Sequence, residues 1–187
     1  KLSSIITKFF RKSMRERFKL SINDLLNENI YNILDVGCGS GRYTNYLAQN
    51  NKKVVGIDFA DKMIEFAKKN AKLKNLANVD FLPVSLEDYK FDTSFDGVVC
   101  MGFFDYVKDS HFAIEKILNS EPKIFIGSFP KRYNILNFIR VFRYYINNCP
   151  LYYYTKNHFK IIEKKYPNYR FDYIDLGREY YIRAKKI

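Results

Sequence analysis

The sequence contains no apolar run near the roughly 20 residues that a membrane-spanning helix needs, so no transmembrane segment is expected. It has only three cysteines, Cys38, Cys100 and Cys149, far apart and without a Cys-x-x-Cys pair. That spacing argues against a zinc site and against a secreted disulfide framework. No metal is expected, and Cys38 and Cys100 read as small packing residues rather than reactive thiols. Histidine is scarcer still, with His111 and His158 the only two, which leaves few candidates for a general base. The opening Lys1–Lys8 meets charge too early for a signal peptide, and cytoplasmic residence is expected. A chain that opens on Lys1 rather than Met is expected to lack its native first residues.

What is present fits one globular unit. The 187 residues are 47% hydrophobic and 28% charged, enough to enclose one core but not two, so residues 1–187 read as a single domain. The formal net charge of +12 admits a nucleic-acid or anionic partner. It also admits a merely solvated basic surface. Joint enrichment in Lys, Asn, Ile, Tyr and Phe is what AT-rich coding produces. Lys62, Lys68, Lys69, Lys72 and Lys74 fall on the outer face of one expected helix, which favours the solvated surface.

Residues 3–29 place Ile5, Ile6, Phe9, Phe10, Met14, Phe18, Ile22, Leu25 and Leu26 at helical spacing with basic residues between. The pattern is amphipathic. A helical cap over a sheet, residues 1–29, is the favoured reading, and peripheral contact with a membrane surface is the other. From Tyr31 the rhythm changes to short apolar strands alternating with helices. Strands are expected over 31–36, 53–58, 78–83, 95–101 and 123–129, with helices over 42–50, 62–73 (Asp61 as N-cap) and 110–119. That alternation signals a parallel sheet covered on both faces. The last third departs from it, with helices over 133–147 and 156–166 (Thr155 as cap) forming a lid within 130–167. Two strands follow, 169–176 and 179–185. Only Gly177-Arg178 separate these, so they form an antiparallel hairpin.

The glycine loop carries the chemistry. In Asp35-Val36-Gly37-Cys38-Gly39-Ser40-Gly41, three glycines follow a strand and precede a helix, letting the backbone approach a ligand that any Cβ would crowd. The helix N-terminus behind the loop offers free N–H groups. Asp58 ends the next strand, 19 residues after Gly39, where a carboxylate can accept both hydroxyl hydrogens of a ribose. Loop and acid together point to an adenosine-containing ligand without saying which.

Asp35 before the first glycine narrows the choice. Ile33-Leu34-Asp35-Val36-Gly37-Cys38-Gly39-Ser40-Gly41-Arg42-Tyr43-Thr44 resembles the first motif of class I S-adenosylmethionine-dependent methyltransferases. Val55-Gly56-Ile57-Asp58-Phe59-Ala60-Asp61-Lys62-Met63 resembles the next, and Phe95-Asp96-Gly97-Val98-Val99-Cys100-Met101 the fourth-strand motif. The resemblance runs from Tyr31 to Ile187. It implies a doubly wound, seven-stranded, mostly parallel α/β sheet with an antiparallel C-terminal hairpin, the seventh strand lying beside the fifth.

The resemblance further implies S-adenosylmethionine as cofactor and S-adenosylhomocysteine as product. Asp35, Gly37, Cys38, Gly39, Gly41 and Tyr43 would surround the methionine portion. Asp58 would hold the ribose, Phe59 and Met63 would border adenine, and Cys100 and Met101 would lie along the methyl-donor end. Ser85, with Leu86 beside it, stands where the family usually has an acid on the adenine amino group, with Glu87 or Asp88 as substitutes. No Asn-Pro-Pro-Tyr sequence follows the fourth strand, which counts against methylation of DNA bases or glutamine nitrogen.

The acceptor is expected to meet Phe103, Phe104 and Tyr106, then Arg132, Tyr152 and Tyr154. Aromatics suit a planar or apolar small molecule, and Arg132, Arg140 and Arg143 suit an anionic group on it; packing of the lid is the alternative for the tyrosines. This part is similar to small-molecule O-methyltransferases, including those of the magnesium-protoporphyrin type. His111 and Tyr106 are the candidate bases, with a surface or capping role the competing reading for His111 and a plainer helix position for His158. RNA methylation and a non-catalytic adenosyl-binding protein remain as alternatives. Nothing in the sequence sets the oligomeric state.

Overall fold

The computed structural model describes residues 2–27, 29–131 and 151–187. The expected helix over 133–147, together with Arg132, Arg140, Arg143 and Cys149, lies outside the described residues. Helix α1 (Leu2–Leu25) leads into β1 (Asn32–Val36), α2 (Arg42–Gln49), β2 (Lys53–Asp58), α3 (Asp61–Leu73), β3 (Val79–Pro83), β4 (Gly97–Cys100), α4 (Ser110–Leu118) and β5 (Ile124–Pro130). After the undescribed stretch come α5 (Lys156–Lys165), β6 (Tyr169–Asp175) and β7 (Glu179–Lys186).

The seven strands form one sheet in the order β3-β2-β1-β4-β5-β7-β6. The first five pair in parallel, and β7 runs antiparallel between β5 and β6, with Phe129 opposite Tyr180. β4 and β5 are buried at every position, as strands covered on both faces must be. Edge strand β3 buries only Phe81.

Alternation along each strand sorts the core into two layers. Leu34, Val98, Phe125 and Ile182 pack with Ile114, Ile117 and Phe159 beneath α4 and α5. Their neighbours Ile33, Val99, Ile126 and Tyr181 pack with Ile22, Leu25 and Leu47 beneath α1 and α2. Helix α1 is also fastened by charge: Asp24 accepts from the Tyr181 hydroxyl and from Arg183 Nη1, both at 2.8 Å, and Arg183 pairs in turn with Asp172. Among the described residues no helix is long and apolar enough to cross a membrane.

Three local expectations are corrected. Asp61 is the first residue of α3, not its cap; Ala60 holds that position, and its N–H donates to Asp58 Oδ1 at 2.9 Å. Thr155 caps α5 by backbone geometry alone, without a side-chain bond. The fourth strand is shorter than the expected 95–101, running from Gly97 to Cys100, and Asp96 before it accepts from Tyr31 N and Asn32 N and pairs with Lys123.

Candidate functional site

The sheet grows from β1 toward β2 and β3 on one side, and from β4 toward β5 on the other. Ligands of open α/β sheets sit at the carboxyl ends of the strands where that direction reverses, here between β1 and β4. The glycine loop leaves β1 at this point. Gly37 N and Cys38 N both donate to Ile57 O, at 2.8 and 3.0 Å, which ties the loop to the end of β2. Gly39 N donates to Asp58 Oδ2 at 2.9 Å. With Ala60 N on its other oxygen, Asp58 spans the loop and the entry to α3 while keeping lone pairs for further donors.

Two glycines mark open backbone at the crevice. Gly39 (φ +52°) and Gly102 (φ +77°) have nothing within 4 Å of where a Cβ would stand. Gly41 (φ +80°) is the opposite: a Cβ there would meet Asn45 Nδ2 at 2.9 Å and Ala67 and Phe81 at 3.2 Å. Gly41 is therefore a packing glycine, whereas Gly39 and Gly102 border empty space.

Asp35 lies beneath the loop, 2% exposed. It accepts from Thr44 Oγ1 at 2.5 Å and from Thr44 N at 3.1 Å, joining β1 to the first turn of α2. Burial pushes its carboxyl up to about 6, opposed by the Thr44 bonds and helped by nearby Asp58. Tyr43 is buried on the same turn. Cys38 and Cys100 are buried thiols whose pKa burial raises, which makes both inert at neutral pH. Met101 is buried as well.

On the β2 side, Phe59 is 80% exposed and Met63 45%, so both flank Asp58 as open apolar surface. Ser85 is committed locally, donating to Asp88 Oδ2 at 2.8 Å and accepting from Asp88 N at 3.2 Å. Leu86 beside it is buried.

The residues expected to meet an acceptor divide. Phe103 packs against Gly37, Tyr106 is half-exposed, and Tyr152 N donates to Asp105 O at 2.9 Å, bringing segment 151–154 onto the loop after β4. Phe104 and Tyr154 do not present their rings to a ligand. Phe104 is fully buried and stacked on Phe129 at 4.1 Å. The Tyr154 hydroxyl is spent on Phe104 O and Val107 O, at 3.0 and 3.2 Å. Large rings after a buried strand continue its core, and these two form the floor under the loop. Arg132 lies outside the described residues.

Neither histidine is the surface or capping residue that local sequence suggests. Asp109 caps α4, accepting from Phe112 N at 3.0 Å. His111 Nε2 stands 3.3 Å from His158 Nδ1, and His158 Nε2 shares a 2.8 Å hydrogen bond with Ser110 Oγ. Burial first, and His111 second, push His158 down from the ordinary 6.5 to about 4, while Asp109 works the other way. The folded protein thus resists protonating His158, and the stability this group contributes is full above pH 6.5 and is lost as pH falls toward 4. Asp35 acts in the opposite sense, because its folded pKa lies above the ordinary 3.8 and its ionisation costs stability above about pH 6. Replacing His158 by Gln is expected to shrink the stability gap between pH 7 and pH 4.5 by about 1 kcal/mol, discounted for the partly exposed ring. Urea denaturation at the two pH values measures it, and an unchanged gap contradicts it.

Arg17, Ser128 and Glu179 also meet at this crevice and were not singled out from the sequence. Arg17 Nη1 donates to Glu179 Oε2 at 2.9 Å and to Ser128 Oγ at 3.2 Å. Ser128 Oγ in turn accepts from Gly102 N at 2.9 Å. These residues are 111 and 162 positions from Arg17, and no local pattern links them.

The chain is similar in sequence and in fold to known methyltransferases. Residues 33–120 match a family model described as a methyltransferase domain. Ubiquinone biosynthesis O-methyltransferase of Pelagibacter ubique is 32% identical over 127 residues, covering 66% of this chain and 52% of that protein. The same-named protein of Saccharophagus degradans is 37% identical over 79 residues, covering 41% of this chain and 33% of its own length. The chain thus spans about half and about a third of the length of these two curated relatives. Among solved structures, magnesium protoporphyrin IX methyltransferase of Synechocystis with bound S-adenosylhomocysteine superposes with a TM-score of 0.77. It is 17% identical, with 96% of this chain and 86% of that one covered. A small RNA methyltransferase superposes at 0.76, with 16% identity, over 92% of this chain and 25% of its own.

Proposed function

We propose that this chain, whose residues 33–120 belong to the methyltransferase-domain family and whose sheet is that of the class I S-adenosylmethionine-dependent enzymes, transfers a methyl group from S-adenosylmethionine to a small-molecule acceptor. The observation that carries it is the open backbone at Gly39 and Gly102 on either side of the β1–β4 crevice, with Asp58 at its β2 end. A nucleoside with an extended amino-acid arm fits such a cradle: ribose hydroxyls on Asp58, adenine between Phe59 and Met63, and the methionine arm along Gly37, Gly39 and Tyr43 above Asp35. Cys100 and Met101, both buried at the end of β4, would lie beneath the methyl-donor end rather than line it with their side chains. Ser85 and Leu86 would border the adenine, although the Ser85 hydroxyl is held by Asp88.

The bound cofactor supplies a sulfonium whose methyl group is already electrophilic. What remains for this chain is to place the acceptor in line and to exclude water. Phe103, Tyr106 and Tyr152 line the acceptor side, with Phe104 and Tyr154 as a rigid floor beneath them. A planar phenolic or anionic metabolite, methylated on oxygen, suits these rings, and Arg132, Arg140 and Arg143, which lie outside the described residues, would suit an anionic group on it. Tyr106 is the candidate base on this loop; His111 is engaged with His158 and is the weaker one. Residues 1–29 as a cap and 130–167 as a lid complete a single domain.

The charge of +12 favours a second reading, methylation of RNA, which the same experiment addresses. Tritium-labelled S-adenosylmethionine is incubated with the protein and a panel of catechols, phenols and aromatic carboxylates, or with short single-stranded RNAs. Label is expected in a small phenolic acceptor. Label in RNA alone overturns the small-molecule assignment.

A further inference from the structure

Helix α5 is fastened to α4 by different chemistry at its two ends. At the C-terminal end Lys165 pairs with Glu115 at 2.7 Å, and the Tyr166 hydroxyl just beyond donates to Asn119 Oδ1 at 2.8 Å. At the N-terminal end the link is a pair of imidazoles. His111 Nε2 stands 3.3 Å from His158 Nδ1, with the rings edge to face and their centroids 4.2 Å apart. The other nitrogen of His158 shares a 2.8 Å hydrogen bond with Ser110 Oγ. A serine on an imidazole backed by a second one has the outline of an activated nucleophile. Ser110, however, is 2% exposed, so no substrate reaches its oxygen, and the cluster holds two helices together instead.

This contact extends to the acceptor side of the crevice. The His158 ring lies against that of Tyr154, 5.1 Å between centroids. Tyr154 joins the start of α5 to the loop after β4 through its hydroxyl on Phe104 O and Val107 O, and Tyr152 N adds the bond to Asp105 O. Phe103 and Tyr106 belong to the same loop. Around His158, Asp109 from the start of α4 favours its protonation, and His111 opposes it. The sheet meets α5 with rings, Phe129, Tyr173 and Tyr180 around Phe159, and Glu163 of α5 accepts from the Tyr173 hydroxyl.

With both imidazoles neutral, one facing nitrogen carries a hydrogen and the other accepts it. Protonating both makes each facing nitrogen a donor and sets two cations side by side, where they repel. The bonds at the other end of α5 contain no imidazole, so that end is left as a hinge. We propose that the His111–His158 pair is an acid-sensitive latch: its protonation parts the N-terminal end of α5 from α4 and frees Tyr154 and the floor it holds, while the Lys165 end stays in place. The consequence for an acceptor rests on the methyltransferase reading above; the opening itself does not. Burial and His111 push His158 down from the ordinary 6.5 to about 4, so opening takes up a proton. It is least favoured above pH 6.5 and grows as pH falls toward 4.

Hydrogen exchange followed by mass spectrometry tests the latch in the parent and in His158→Gln, at pH 7 and pH 4.5. Each rate is divided by that of the same peptide unfolded at that pH, which removes the chemistry of exchange itself. Residues 151–159 report the latch through the amides of Tyr152 and Tyr154, bonded to Asp105 O and Pro130 O, and β4 serves as the internal reference. In the parent, opening of 151–159 relative to β4 is expected to rise about fivefold between the two pH values, a figure discounted for the partly exposed ring. In His158→Gln the change is expected to stay within twofold. A parent without that relative rise overturns the proposal, and so does a rise that persists in the variant. His158→Phe, which fills the ring's space without an ionisable group, takes the place of His158→Gln if melting at pH 7 shows the latter unfolded. Failure of methyl transfer in the assay above leaves this readout untouched, so the two readings fail separately.

Discussion

Replacing Asp58 by Ala is expected to weaken S-adenosylhomocysteine binding by roughly a hundredfold or more. The estimate follows from what the carboxylate does. One oxygen accepts from Gly39 N and the other from Ala60 N, both at 2.9 Å, so the group is already oriented and its remaining lone pairs point to a fixed place. Two ribose hydroxyls bonded to a charged acceptor contribute about 1.5–3 kcal/mol each, and their joint loss corresponds to two or more decades in affinity. The variant also frees Gly39 N, loosening the loop that carries the cofactor's arm. Calorimetry on parent and variant measures the difference. A variant within threefold of the parent would mean that the ribose is held elsewhere.

The second large effect separates two glycines of one loop. Gly41→Ala is expected to destabilise the fold by about 2–4 kcal/mol, because a Cβ at φ +80° meets Asn45, Ala67 and Phe81 inside 3.3 Å in a core that has no slack. Gly39→Ala costs about 1 kcal/mol for its left-handed backbone alone, since nothing stands within 4 Å of the new methyl. It keeps the fold but is expected to lose cofactor affinity tenfold or more, because that methyl occupies ligand space. Thermal melts and calorimetry on the two variants are expected to rank them in opposite order. The same order in both measurements would show that the emptiness beside Gly39 has no role in binding.

The parallel strands and the hairpin were legible because their signals are local. Val98-Val99-Cys100 and Ile124-Phe125-Ile126 are runs that only a strand covered on both faces buries, and Gly177-Arg178 leaves no room for anything but a hairpin. The loop and Asp58 were equally legible as an arrangement, since spacing along β1-α2-β2 translates directly into proximity at the sheet edge. The strand order came from family resemblance rather than from the residues, and the sheet agrees with it.

What escaped was set by packing across the chain. Phe104 and Tyr154 read as pocket aromatics because their loop positions resemble those of Phe103 and Tyr152; only the stacking on Phe129 shows them to be floor. His111 and His158 meet because α5 docks on α4, 47 residues away, and neither neighbourhood reveals it. Arg17 looked like one more basic residue of an amphipathic helix. Its place in the crevice depends on Ser128 in β5 and Glu179 at the start of β7, 111 and 162 positions away in sequence.

The central claim, that the β1–β4 crevice holds an S-adenosyl ligand, is tested most directly by titrating the parent chain with S-adenosylhomocysteine in a calorimeter. The account predicts one site per chain with micromolar affinity. A folded sample that gives no heat, and no rise in melting temperature at saturating ligand, would contradict it.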